Sequence, residues 1–150
     1  MTYQEKSISV TLSSAILILG YYLLRIYQIA QNGPLDSASV FRLWAIVIVA
    51  TIVVNIVGMI LAHTLFAVAQ AIQTRGEPEI ENIEDERDKL IKLKGTRIAY
   101  FVLSFGVFLA MLTLVFGQPP LVMFSLLIFF AIFSEIIADI SRLIYSRRGM

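Results

Sequence analysis

Apolar residues fill four long stretches, near residues 8–27, 41–72, 98–116 and 121–144, and most polar residues are confined to the gaps between them. A helix needs about 20 apolar residues to cross a bilayer. The pattern therefore predicts an all-α integral membrane protein, a single domain over residues 1–150 with four transmembrane helices arranged as two hairpins. The gap inside the first pair, Gln31 to Ser39, carries the turn signal Asn32-Gly33-Pro34, with Asp36 or Ser37 placed to cap the next helix. The gap inside the second pair, Gly117-Gln118-Pro119-Pro120, has room only for a tight turn. The second apolar stretch is longer than a bilayer requires, so it tilts or projects into water.

The gap between the pairs has a different character. Residues 77–97 hold more than half of the charged residues of the chain. Pro78 interrupts what precedes it, and Asn82 is placed to cap a new helix. Glu84, Asp85 and Glu86 then fall in the first turn, where the helix dipole favours negative charge. Arg87, Lys89, Lys92, Lys94 and Arg97 follow, and Asp85 with Lys89 and Asp88 with Lys92 are acid-before-base pairs one turn apart. Leu90, Ile91 and Ile98 add an apolar stripe. Residues 73–97 thus read as a charged cytosolic bridge whose helix extends the third span out of the membrane. The plain structural reading is a solvated, self-paired helix; the functional one is a docking surface for a cytosolic or membrane partner.

Composition sharpens this picture. At 58% hydrophobic and 15% charged, the chain is greasier than a soluble domain, and a net charge of +1 gives no general attraction to nucleic acid. Without cysteine and with one histidine, thiolate chemistry, disulfides and a multi-histidine metal site within one chain are excluded. No cofactor is expected, and no serine–histidine, two-aspartate or metal motif points to an enzyme. Lysine and arginine collect in the bridge and in the tail (Arg142, Arg147, Arg148), which places the bridge and both termini in the cytoplasm.

Several polar residues fall inside the spans. Glu135 and Asp139 stand one turn apart on one face of the fourth, and Arg142 continues that face. Counting back from Arg142 puts Glu135 roughly 10 Å inside the boundary, where an ionised group costs a few kcal/mol unless paired or wetted. The structural expectation pairs Asp139 with Arg142 and hydrogen-bonds Glu135 to a neighbouring helix. The functional expectation makes Glu135 a proton or cation acceptor in a cavity, with Asp139, His63 and Asn55 beside it. Gly58/Ala62 and Gly106/Ala110 form small-residue patches that suit close helix approach, here taken as the basis of a homodimer. Tyr21, Tyr22 and Tyr27 read as an interfacial aromatic belt, and Phe129, Phe130 and Phe133 as packing or lipid contact.

The run Asp85-Glu86-Arg87-Asp88, continued by Lys89 to Tyr100, resembles the signature of a family of small bacterial inner-membrane proteins that carry an acidic Asp-Glu-Arg-Asp motif before the third of four spans. The resemblance implies a bacterial inner-membrane location and gives Asp85, Glu86, Arg87 and Asp88 a role beyond helix capping. It transfers no activity. The first-ranked expectation is a non-enzymatic regulatory or scaffold protein that binds a partner through those four residues. The alternative is a small proton- or cation-linked transporter or channel built on Glu135, Asp139, His63 and Asn55.

Overall fold

The computed structural model describes residues 3–74 and 86–147. They form four helices: α1 (Tyr3–Gln31), α2 (Ser37–Thr74), α3 (Glu86–Val115) and α4 (Pro120–Arg147). Each contains a stretch long and apolar enough to cross a membrane, and in α2 that stretch is Ser37–Leu61, leaving the remainder of the helix beyond it. Four such helices suggest a membrane protein. Of the sequence expectations, Asn82 and Asp85 of the bridge and Arg148 of the tail lie outside the described residues, as do the side chains of Ala62 and His63.

Local chemistry accounts for the ends. The Asp36 carboxylate accepts from the Ser39 amide at 3.1 Å and opens α2. Gly117 sits at φ 74°, in the left-handed region, and closes α3. There the Gln118 amide donates to the Thr113 carbonyl and the Gly117 amide to Leu114, so the last carbonyls of α3 are satisfied through the backbone. Pro120 then starts α4, where a missing amide hydrogen costs nothing.

The helices pack in the order α2, α1, α4, α3. Helix α1 lies between α2 and α4, α3 packs only on α4, and among the described residues α3 does not approach α1 or α2. Hydrogen bonds fix the direction of the α1–α4 pair. Thr11 reaches Asp139, and Tyr22 reaches the Ser125 carbonyl at 2.7 Å, so the two helices run antiparallel. Both short turns therefore gather at one end of the molecule (the turn end), and Tyr3, Glu86 and Arg147 lie towards the other (the charged end). Ile18, Tyr22, Leu43, Val47 and Ile128 form the core nearer the turn end, with Phe124, Phe129 and Ile132 packed around it.

Two sequence expectations are corrected here. Tyr22 is not part of an exposed aromatic belt: it is 2% exposed and belongs to the core, while Tyr21 and Tyr27 are exposed. Gly106 and Ala110 are buried against α4, and a methyl on Gly106 would overlap the ring of Phe130. Gly58 faces α1, where an added Cβ would meet Val10 at 3.4 Å. Gly106 and Ala110 are thus engaged within the chain, while Gly58 is half-buried beside α1. At the start of α3 the apolar stripe lies on a neighbouring helix while most of the charged residues stay exposed. Ile91 and Gly95 are buried, Arg87 donates to the Ser146 carbonyl at 3.0 Å, and Lys94 lies 5.2 Å from the Tyr145 ring centre. This segment is docked along the last turns of α4.

Candidate functional site: a cleft between three helices

Glu135 lines a cavity of about 640 Å³ between α1, α2 and α4. Asn55 and Asp139, two of its expected partners, line the same space. His63 lies two turns beyond Asn55 along α2, about 12 Å further towards the charged end, and its side chain is outside the described residues. Because α2 and α3 do not meet, the cavity is a cleft with its mouth on their side, and only Leu103 of α3 reaches it.

The lining changes character along its length. Towards the turn end it is apolar, with Ile18, Trp44, Val47 and Ile128. Towards the charged end it is polar, with Thr11, Asn55, Ser134, Glu135, Asp139 and Arg142. From Ile128 to Arg142 the wall supplied by α4 is about 20 Å long. The cleft is therefore elongated and amphipathic.

The two acids have different surroundings. Asp139 is 5% exposed and fully engaged. One carboxylate oxygen accepts from the Thr11 hydroxyl at 2.8 Å and the other pairs with Arg142 Nη1 at 2.8 Å. Arg142 extends across α3, where its Nη2 lies 3.4 Å from the Thr96 hydroxyl. Its stem lies on Gly95, because any larger residue would put a Cβ 2.5 Å from Arg142 Cγ. Its Nε is buried with no partner among the described residues. Asp139 and Arg142 thus clasp α1, α4 and α3 together at the charged end of the cleft. Glu135, one turn away, is exposed to the cleft, and no described residue hydrogen-bonds or pairs with its carboxylate. The structural expectation is met for the Asp139–Arg142 pair, whereas the expected bond from Glu135 to a neighbouring helix is absent among the described residues.

The cleft also uses residues that the sequence analysis did not single out. Thr11 and Ser14 bond back to their own helix, donating to the Ile8 and Thr11 carbonyls at 3.0 and 2.8 Å. Thr51 donates to Val47 and Ser134 to Ala131 in the same way. Their spacing, Thr11–Ser14–Ile18 on one helix and Thr51–Asn55 on another, is the periodic signal that would have marked two facing stripes.

The docking motif fares differently. Glu86 and Asp88 stand in the first turn of α3 and Arg87 is committed to the end of α4; Asp85 is outside the described residues. Among the described residues no three metal-ligating side chains converge. Comparison with protein-family models, with curated proteins and with solved structures found no match to this chain.

Proposed function

We propose that this chain is a small proton- or cation-linked membrane transporter whose working group is Glu135. It crosses a bacterial inner membrane as two hairpins, with both termini and residues 73–97 on the cytoplasmic side. The concentration of lysine and arginine in the bridge and tail supports that orientation, and the resemblance of residues 85–100 supports the location. The observation that carries the reading is one carboxylate without a described partner in a cleft whose other acid is fully paired. A charged group at membrane depth is expensive, so an unpaired one is a functional-site hypothesis with a physical reason behind it. Glu135 holds either a proton or a cationic substrate, and exchange between the two couples the movement of one to the other.

The cleft outranks the bridge as the working site because Arg87, central to the docking motif, is already bonded to α4. The test is flux. Vesicles containing the wild-type chain are expected to dissipate an imposed pH gradient when inorganic or organic cations are added, after correction for protein-free vesicles. Glu135→Gln is expected to bring that rate to the protein-free level. A variant as fast as wild type, or a wild type no faster than empty vesicles, removes the proposal.

We also retain a homodimer as a proposal, on a different footing from the small-residue patches. The α2 wall of the cleft is open and apolar: Ile52 lines it, and Ile52 and Ile56 are both exposed. A second copy placed over the mouth would shield the cleft from lipid. A detergent-corrected mass of one chain at every concentration tested would eliminate it.

A further inference from the structure

Four hydroxyls line the cleft, on Thr11, Ser14, Thr51 and Ser134. Each has one hydrogen, and each donates it to a backbone carbonyl of its own helix or, for Thr11, also towards Asp139. What remains on these oxygens for an occupant is lone pairs. Glu135 adds a carboxylate with no described partner, and Asn55 an amide that can both accept and donate. The strongest donor in the lining, the Arg142 guanidinium, is held by Asp139 through Nη1 and turned towards Thr96 through Nη2, and its Nε, partnerless among the described residues, is buried out of an occupant's reach. The polar half of the cleft is therefore mainly an array of acceptors around a negative charge. The other half is apolar and carries Trp44.

From this arrangement we infer that the occupant is a protonated primary or secondary amine with an apolar body. Its ammonium hydrogens point at Glu135 and the spent hydroxyls, and its body lies along Ile18, Val47 and Ile128 towards Trp44. The inference rests on the transport reading for its setting but names a ligand class that the reading leaves open. A bare inorganic cation would leave the apolar half empty. A quaternary ammonium ion carries the charge but has no hydrogens to give the acceptors. A neutral alcohol has a single donor and no charge. Hydrogen bonds to charged groups contribute enough that losing them weakens binding by roughly tenfold or more.

The chain has one tryptophan, and it lines this cleft, so its fluorescence reports occupancy directly. The purified full chain in detergent is titrated at neutral pH with phenethylamine, with its N-trimethylated quaternary analogue, and with phenethyl alcohol. The expected result is a saturable change in Trp44 emission with the amine. The quaternary ion and the alcohol should each bind at least about tenfold more weakly. Glu135→Gln should abolish the response at matched amine concentration, and Glu135→Asp should keep part of it. Helix content measured by circular dichroism identifies any variant that has failed to fold. Asn55→Ala, outside the charged cluster, supplies a second variant, expected to weaken amine binding several-fold. Equal affinity for all three probes, binding indifferent to Glu135→Gln in a folded variant, or no saturable binding of the amine overturns the inference. Amine binding without flux would support the ligand class and remove transport; flux with no amine binding would do the reverse.

Discussion

Alanine at Gly106 is expected to destabilise the folded chain by about 1–3 kcal/mol, a loss visible as a lower midpoint in thermal unfolding of the detergent-solubilised protein. The reason is space. Gly106 is buried where α3 crosses α4, and a Cβ there would lie 2.5 Å from Phe130 Cβ and Cδ1. Phe130 cannot move aside freely, because its ring centre is 5.2 Å from that of Phe129, which itself stacks on Phe133 at 5.5 Å. In a membrane, close backbone approach is a principal means of holding helices together, since lipid supplies no hydrophobic drive between them. Separating α3 from α4 would also loosen Arg87 and Arg142, the polar links between the same two helices. A cycle with Phe130→Ala tests the mechanism. If overlap is the cause, the double variant loses much less than the sum of the two single changes. A fully additive result would show that Gly106 matters for some other reason.

The second large effect is expected at Asp139. Its replacement by alanine leaves the Arg142 guanidinium beside α3 without its counterion and the Thr11 hydroxyl without its partner on α4. Breaking a buried pair by removing one partner costs about 3–5 kcal/mol, and Arg142, whose side chain is 21% exposed, places this case towards the lower end. Removing both charges should be far milder. Asp139→Ala combined with Arg142→Leu is expected to recover most of the stability, because the stranded charge is then gone. Thermal midpoints of the two single variants and the double variant decide the matter. A double variant as weak as Asp139→Ala alone would mean that the clasp stabilises through Thr11 instead.

Much of the architecture could be read from residues alone, and the physical reason is length. An apolar stretch of 20 residues has few alternatives to a helix, and the caps at Asp36 and the turn at Gly117 follow from side-chain oxygens and from φ. The pairing of Asp139 with Arg142 was legible for the same kind of reason, since three residues on a helix bring side chains together. The neighbours of each helix were not legible. Where lipid and protein are equally greasy, the apolar pattern does not distinguish the packed face from the outer one. Hence Gly106 and Ala110 read as an outward patch when they face α4, and Tyr22 as a surface ring when it is core. Glu135 stood out because its charge is costly in its setting. Thr11, Ser14 and Thr51 did not, because a hydroxyl bonded to its own helix carries no sign of what lies across from it until the helices are assembled.

The placement of α4 has a consequence for biosynthesis. It leaves the ribosome after α1, α2 and α3, yet it is the one that touches each of the other three. A nascent chain released only as far as residue 119 holds Thr11 and Tyr22 without their partners on α4, and α3 with no neighbour among the described helices. Assembly therefore waits on the latest arrival. Until then the three earlier helices lack the surface that joins them.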